Sequence, residues 1–474
     1  MKKILFSITL FAALVSCQDL TELDVNTKQA TEVPAGTLFA SSQKSLVDFL
    51  ASPSVNSNIF RLLAQQWTET TYIDESNYDL ATRNIPQNVW YILYRDVLKD
   101  LSEAKRRVEA DEVTLPAVKQ NQLAQIEIME VYTWSLLVDT FGNIPYTEAL
   151  DFNILQPGYD DAATIYADLL TRLSAAISSL DEGADSFGDS DLIYAGDVAS
   201  WTKFANAIKL KLGMTLADVN SGAAKTAVEQ AVAAGVFSSN DDNAVFGYLA
   251  EPPNTNPIWV NLVQSGRKDF VAANTLVDAM SALDDPRIPF YFTEDADGGY
   301  SGGIYGSSNN YSTYSKPSET ITDPGFETLI MDYSEVEFYL AEAVERGYSV
   351  GGTAEEHYNN AVTASMEYWG VDAADIAAYL ASPEVSYSTA AGTYKDKIGV
   401  QKWIALYNRG FEAWTEWRRL DAPVLIAPPE AVSEVPTRYT YPASEQNLNK
   451  TNYEAASSAI GGDVVTTKIF WDVN

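Results

Sequence analysis

The sequence has only one cysteine, Cys17, and only one histidine, His357, among its 474 residues. One cysteine excludes an intramolecular disulfide and any cysteine-rich metal or iron-sulfur site, and one histidine removes most histidine-based chemistry. Basic residues are also few, with 31 Lys and Arg against 65 Asp and Glu and a formal net charge of -34. So negative a chain repels phosphate backbones and anionic lipid surfaces, which argues against nucleic-acid binding.

The sequence also lacks the common catalytic motifs, with no G-x-G-x-x-G, Walker loop, H-E-x-x-H or G-x-S-x-G. Glycoside hydrolysis needs only a pair of carboxylates, so two acidic pairs keep a surface glycosidase open as an alternative. Glu412 and Glu416 lie one helical turn apart, and Asp295 and Asp297 lie in a glycine-rich loop. We interpret the first pair as a solvated helix face or as neighbours of the two arginines that follow, and the second as turn residues. The chain is therefore predicted not to be an enzyme.

The same glycine-rich loop is the one candidate site for a cofactor in the sequence. Asp295, Asp297 and the carbonyls around Gly298 could hold a calcium ion, which takes about six to eight oxygen ligands. The segment lacks the full spacing and the terminal glutamate of an EF-hand. We therefore expect no cofactor, with structural calcium as the alternative. His357 follows two glutamates in the first turn of a predicted helix and is interpreted as a surface residue.

The amino terminus predicts export from the cytoplasm. Lys2 and Lys3 precede an apolar run over 4–16. At ~1.5 Å per residue this run is too short to span a hydrocarbon layer of ~30 Å, so it is typical of a signal peptide.

The signal ends in Leu14-Val15-Ser16-Cys17, which resembles a bacterial lipobox, and the only cysteine of the chain occupies the acylated position. We predict a signal peptide over 1–16, acylation of Cys17 and a polar, lipidated tether over 17–33. A single helical domain with loop insertions is predicted over 34–474.

Apolar residues recur at steps of three or four along much of this domain, which is the spacing of one face of an α-helix. Such runs occupy 90–108, 124–138, 166–180 and 400–417. Thr353 with Glu356 and Asp332 with Glu335 have the spacing of helix N-terminal caps. The chain is therefore predicted to be mainly α-helical.

Strands are expected to be few and short, because apolar and polar residues alternate only over 244–249 and 463–470. The segments 251–257, 293–324 and 425–452 show neither period and are predicted loops. Long irregular segments in compact proteins are usually functional surfaces or connectors. The second of these carries several tyrosines, which a purely flexible linker has little reason to contain.

Aromatic rings in loops suggest a ligand. A flat ring covers the apolar C-H face of a pyranose at low entropic cost, while amides and carboxylates bond its hydroxyls. Rings at helical spacing are interpreted as core residues: Trp134, Trp403, Trp414 and Trp417. Rings in loops or at helix ends are the candidate ligand-binding residues: Trp67, Tyr72, Trp259, Tyr291, Tyr300, Tyr305 and Tyr311.

Several motifs are spread over most of the chain: the lipobox at Cys17, Gln65-Gln66-Trp67, Phe141-Gly142-Asn143-Ile144-Pro145-Tyr146, Asp284-Asp285-Pro286-Arg287 and Glu412-Ala413-Trp414-Thr415-Glu416-Trp417-Arg418-Arg419. Together they resemble the SusD/RagB family of nutrient-binding outer-membrane lipoproteins of Bacteroidota. The resemblance implies a SusD-like α-α superhelix of about four tetratricopeptide-like helix pairs with long ligand-binding loops.

The resemblance also implies a role. Such a protein is anchored by lipid in the outer membrane, faces the cell exterior, binds glycans and delivers them to a SusC-like TonB-dependent transporter. A peptide-binding uptake protein of the same type is the first alternative, ahead of the surface glycosidase. A third alternative is a structural or adhesive protein whose acidic surface docks another protein without a small ligand.

Overall fold

The structure, a computed structural model, describes residues 33–473 and contains seventeen α-helices and four short strands within them. The predicted mainly α-helical fold is confirmed. The predicted signal peptide, Cys17 and the tether up to residue 32 lie outside the described residues. None of the helices in the described part is both long and apolar enough to cross a membrane.

The first half of the described chain contains eight helices: α1 (Ala35–Ala51), α2 (Phe60–Leu63), α3 (Ile85–Tyr91), α4 (Lys99–Ala110), α5 (Pro116–Phe141), α6 (Ala162–Ser179), α7 (Val198–Thr215) and α8 (Ser221–Ala234). The second half contains nine: α9 (Asn274–Ala282), α10 (Ile288–Tyr291), α11 (Tyr333–Glu345), α12 (Ala354–Trp369), α13 (Ala373–Ala381), α14 (Tyr394–Ala405), α15 (Gly410–Leu420), α16 (Ala443–Leu448) and α17 (Lys450–Ala459). The strands are β1 (Trp67–Glu69), β2 (Ala244–Phe246), β3 (Phe270–Ala272) and β4 (Thr328–Met331).

Four helix pairs make the most extensive contacts: α1 with α4, α5 with α6, α7 with α8, and α11 with α12. Successive pairs also touch, through α4 and α5, α6 and α7, and α7 and α11. This arrangement agrees with the predicted chain of helix pairs. Burying one apolar stripe per helix against its neighbours explains why the 3.6-residue period is so clear in the sequence.

The strands form two small antiparallel sheets, β1 with β3 and β2 with β4. β2 lies within the predicted 244–249, so that prediction is confirmed. The prediction of a strand over 463–470 is wrong, because the chain turns there and the Thr467 nitrogen donates to the Val464 carbonyl at 3.1 Å.

The apolar run over 400–417 forms two helices, α14 and α15, so the prediction of one helix is wrong. Asn408 interrupts the run with a left-handed φ of 67° and accepts a hydrogen bond from Arg61 Nε at 2.9 Å. Gly410 then begins α15 against the backbone of α2, where a Cβ atom would lie 2.4 Å from the Arg61 nitrogen. The break allows α2 to pack directly against α15.

Most apolar side chains join one large core that draws on residues from Phe39 to Trp471. Trp134, Trp403 and Trp414 are buried in it, as predicted, and Trp417 packs against it half-buried. The predicted caps are also present, since Asp332 accepts from the Glu335 nitrogen and Thr353 forms a capping box with Glu356. The boundaries of the predicted single domain stay a prediction.

A set of buried charged residues, which we call the ionic core, joins four helices: Lys211 of α7, Glu335 and Glu342 of α11, Lys402 of α14, Arg409 beside α15, and Glu412, Glu416 and Arg419 of α15. Its pairs are Lys402 with Glu416 at 2.8 Å, Arg419 with Glu342 at 2.5 Å, Arg409 with Glu335 at 2.5 Å, and Lys211 with Glu412. Burial alone would raise the pKa of Glu416, but Arg419 and Lys402 hold it well below its ordinary value. Removing one member of such a buried pair typically costs about 3–5 kcal/mol.

His357, interpreted from the sequence as a surface residue, is partly buried and makes a similar but smaller contact. Its side chain is 12% exposed, and Nδ1 lies 2.7 Å from Glu337 Oε2. Nε2 lies 3.0 Å from the Gly351 carbonyl oxygen. Burial lowers the pKa of His357, but the bonds to Glu337 and Gly351 outweigh it and raise the pKa above its ordinary value.

We expect the stability that His357 contributes to disappear as the pH rises. A histidine whose pKa is raised on folding stabilises the protein fully below its unfolded pKa of about 6.5 and loses this effect as the pH passes the folded value. Between pH 6 and 9 the parent chain should lose roughly 1 kcal/mol that a His357→Gln variant does not lose. Urea unfolding across this range measures the difference, and the lone imidazole can be titrated by NMR. A titration midpoint below 6.5 would contradict the assignment.

Candidate functional site

The candidate site is built on the sheet of β1 and β3. Glu69 at the end of β1 lies opposite Phe270 of β3. Thr70 continues the contact, because its hydroxyl donates to the Lys268 carbonyl at 2.6 Å. The segment 70–78 therefore leaves the sheet from a fixed point.

Two asparagines hold neighbouring loops against this segment. The Asn309 backbone nitrogen donates to the Thr70 carbonyl at 3.0 Å. Asn77 Nδ2 donates to the Gly306 carbonyl at 2.8 Å, and the Asn77 carbonyl accepts from the Val432 nitrogen at 2.9 Å. We call the surface formed by these three segments the loop face: 70–78, 301–316 and 424–432.

The loop face exposes several large apolar side chains. Tyr72 is 78% exposed and Ile304 is 59% exposed. Three residues of the third segment are also exposed: Val424, Ile426 and Val432. Large exposed apolar side chains on neighbouring loops are a feature of binding sites for a ligand or another protein.

Tyr311 adds a second ring to the loop face. The ammonium groups of Lys268 and Lys316 lie 5.6 Å and 5.3 Å from its ring centroid. Each such contact at an exposed site is worth about 0.5–1 kcal/mol. Lys316 also donates to the Tyr314 carbonyl at 2.9 Å. The half-buried Tyr311 ring is therefore held beside two positive charges on an otherwise acidic protein.

Three of the seven predicted ligand-binding rings are core residues instead, so the prediction is corrected for Trp67, Tyr291 and Tyr305. Their polar atoms are already paired: Trp67 Nε1 with the Tyr407 hydroxyl at 3.0 Å, and the hydroxyls of Tyr291 and Tyr305 with the carbonyls of Ile404 and Leu62 at 3.0 Å and 2.6 Å. The sequence misled because a ring in an irregular segment can still point inward when that segment packs on the core.

The other four predicted rings are at least partly accessible. Tyr72 and Tyr311 lie on the loop face, while Tyr300 is half-buried and packs against the core just before it. Trp259 is half-buried at the start of a π-helical segment, Trp259–Gln264, that precedes β3. Ligand contact by these four rings stays a prediction.

A pair of buried carboxyl groups supports the first segment of the loop face. Glu69 Oε2 accepts from the nitrogen and the hydroxyl of Ser76 at 2.9 Å and 2.8 Å. Burial, together with the adjacent carboxyl of Glu75, raises the pKa of Glu69 to about 9. Glu75 is in turn paired with Arg83. Glu69 therefore holds its proton to higher pH than an isolated glutamate does, and the adjacent Glu75 carboxyl is the group with which it can share that proton.

Asp295 and Asp297 occupy a tight turn. The Asp295 carboxylate accepts from the Ser301 hydroxyl at 2.7 Å and from the nitrogens of Asp297 and Gly299 at 2.9 Å and 3.0 Å. These bonds lower the pKa of Asp295. In the described part of the chain no group of three or more His, Cys, Asp or Glu residues could hold a metal. Calcium at this loop stays a prediction that the turn geometry does not favour.

Glu412 and Glu416 belong to the ionic core and not to a solvated helix face. Both are buried, and Glu416 contacts Arg419, the neighbour considered from the sequence. Neither carboxylate can reach a polysaccharide, so the glycosidase alternative loses this pair.

Sequence reasoning missed the apolar part of the loop face and the asparagines behind it. Exposed residues such as Ile304 and Ile426 follow no periodic pattern. The one signal in the sequence is the glycine at position 306. The structure explains it, because Gly306 has a left-handed φ of 73° and a Cβ atom there would lie 2.4 Å from Pro428. A glycine in an aromatic loop can thus indicate where two loops meet.

Comparison with known proteins identifies the family. The family model described as "SusD-like_2: Starch-binding associating with outer membrane" matches residues 27–442. Because the match covers most of the chain, the protein belongs to this SusD-like family, and the resemblance seen in the sequence is confirmed. No curated protein matches the chain significantly.

Solved structures agree over nearly the whole length. A chitin-binding protein is 27% identical, with a TM-score of 0.81 over 93% of this chain and 100% of that one. A chitin-binding SusD homologue from Flavobacterium johnsoniae is 26% identical, with a TM-score of 0.79 over 93% and 98%. A SusD homologue from Bacteroides uniformis is 25% identical, with a TM-score of 0.78 over 93% and 99%. Proteins of this family bind ligands at the outer membrane and are not enzymes.

We expect Glu69→Gln to stabilise the protein by up to ~5 kcal/mol at pH 8 and by less than ~1 kcal/mol at pH 5. The folded Glu69 keeps a proton up to about pH 9 that the unfolded chain releases near pH 4.5, so rising pH disfavours folding between these values. Glutamine keeps an acceptor for Ser76 and offers an N-H to Glu75 Oε2. Urea unfolding at both pH values measures the effect. Glu430→Gln, at an exposed position, is the control, and an equal gain at both pH values would contradict the shared proton.

Proposed function

We propose that the protein is a lipid-anchored glycan-binding protein on the outer face of the outer membrane. It binds oligosaccharides or polysaccharides and delivers them to a SusC-like TonB-dependent transporter. The observation that carries glycan binding is the loop face, where the exposed ring of Tyr72 and the half-buried ring of Tyr311 sit on backbone held by Asn77 and Asn309.

The chemistry of the loop face suits a sugar. Aromatic rings can cover the apolar face of a pyranose, and the lysines at Tyr311 can donate hydrogen bonds to its hydroxyl or carbonyl oxygens. Because the backbone is fixed before binding, little conformational entropy is lost when the sugar arrives. The two chitin-binding relatives make chitin oligosaccharides the first ligands to test.

The apolar rim of the loop face suggests the delivery step. Val424, Ile426 and Val432 are exposed beside the proposed sugar site. These side chains offer apolar area to a protein partner, which on this account is the transporter that receives the glycan.

An oligopeptide is the alternative ligand. The same rings and apolar side chains could pack against the side chains of a bound peptide. A ligand panel therefore has to include both classes.

Tyr72→Ala should weaken glycan binding about tenfold, or ~1.4 kcal/mol, because it removes an exposed ring from the sugar site. Calorimetry or affinity electrophoresis with polysaccharides, chitin oligosaccharides and oligopeptides measures the change. Tyr91→Ala removes a 43% exposed ring from α3 and should have no effect on binding. Tyr305→Ala should lower stability by about 3 kcal/mol. Unchanged binding of every glycan by Tyr72→Ala, or binding of peptides alone, would reject the assignment.

Cys17→Ala should release the protein from the membrane, since two or more acyl chains are needed for stable anchoring. Fractionation of cells and labelling with a radioactive fatty acid measure the change. Gln18→Ala keeps the cysteine and should remain labelled and membrane-bound. Labelled, membrane-bound Cys17→Ala protein would contradict acylation at this residue.

A further inference from the structure

A second cleft, of about 470 Å³, shares no residue with the loop face and lies at the carboxyl end of α12. Its volume falls in the range of ~300–1,000 Å³ that is typical of small-molecule sites. The residues that matter to its chemistry are Glu319, Asp323, Phe326, Glu327, Tyr368 and Trp369. None of them was singled out from the sequence.

An aromatic group forms one wall of the cleft. The rings of Phe326 and Trp369 are stacked, with centroids 6.0 Å apart and an angle of 29° between their planes. The ring of Tyr368 packs edge-on against Trp369, with centroids 5.5 Å apart. The buried ring of Tyr291 also packs edge-on against Trp369, with centroids 4.8 Å apart. Trp369 is half-buried, so its position is fixed while part of its surface faces the cleft.

Three carboxylates make the lining of the cleft acidic. Glu319 and Asp323 are exposed, and Glu327 accepts from the Tyr368 hydroxyl at 3.1 Å. The lining of the cleft, within the described chain, includes no lysine, arginine or histidine. Arg409 lies behind the same wall, but Glu335 and Asp332 already pair with it. The cleft is therefore negative and attracts cations.

The segment that carries Asp323 and Glu327 is bonded to the rest of the protein before any ligand arrives. Asp323 accepts from the Gly325 nitrogen at 2.8 Å. The Asn256 nitrogen donates to the Pro324 carbonyl and Asn256 Nδ2 to the Phe326 carbonyl, both at 2.7 Å. These bonds attach the segment to the body of the protein, so binding costs little ordering of the cleft.

We propose that this cleft binds a saccharide that carries a protonated amine, such as a hexosamine unit whose amino group is free. The Trp369 and Phe326 wall covers the apolar face of the sugar ring. Glu319, Asp323 and Glu327 pair with the ammonium group and accept hydrogen bonds from the hydroxyls. The site is separate from the loop face, and its occupation does not depend on the proposed uptake role.

A tetramer of β-1,4-linked glucosamine, with its amines protonated at pH 5.5, is the probe. Calorimetry at low salt should show that Glu319→Gln/Asp323→Asn/Glu327→Gln binds it at least tenfold more weakly than the parent. These changes remove charge but keep the acceptors for Tyr368 and Gly325. The matched control Glu112→Gln/Glu182→Gln/Asp185→Asn removes the same charge from exposed positions elsewhere and should change affinity less than twofold.

Two further arms separate the possible sources of binding. The comparison is repeated in a Tyr72→Ala background, where binding in the cleft should persist even if the loop face also takes the tetramer. Tetralysine, which carries amines without a sugar ring, should bind at least tenfold more weakly than the tetramer. The proposal is overturned if the parent does not bind the tetramer, if both triple variants lose affinity equally, or if tetralysine binds as tightly. Melting temperatures confirm that each variant is folded.

Discussion

The ionic core is the constraint on which the arrangement of the helices depends. Charged groups without water are tolerated only when each one meets its partner at short range, so α7, α11, α14 and α15 have little freedom to shift against one another. An apolar interface accepts many slightly different packings, whereas a set of buried ion pairs accepts few. The ionic core therefore fixes the position of α15 against α7, α11 and α14.

The ionic core also holds α14, which contacts the segment leading to the loop face. Trp403 Nε1 of α14 donates to the Ala64 carbonyl at 2.8 Å, and Gln66 Nε2 donates to the Leu406 carbonyl at 3.0 Å. β1 follows directly, and the segment 70–78 leaves the sheet from its end. A surface made of irregular segments can be well ordered when each segment begins on rigid secondary structure and is bonded to its neighbours. In the loop face, Asn77 and Asn309 make these bonds.

Sequence reasoning recovered what periodicity and local motifs encode. The helix over 124–138, the Thr353 capping box and the core position of Trp414 all follow from spacing, and the structure contains them. It failed where tertiary contacts decide. Nothing local shows that Asn408 breaks a helix to meet Arg61, that Glu412 and Glu416 are buried among cations, or that Tyr305 points inward. The cleft at Trp369 joins residues about forty positions apart, and no local pattern in either segment marks it.

Hydrogen-deuterium exchange with and without a bound glycan shows where the ligand sits on the protein without any substitution. If the loop face binds glycan, a saturating glycan should slow exchange in 70–78 and 301–316, while α5 and α6 should exchange at the same rate as before. Protection confined to the helices, with unchanged exchange across the loop face, would show that the glycan binds elsewhere.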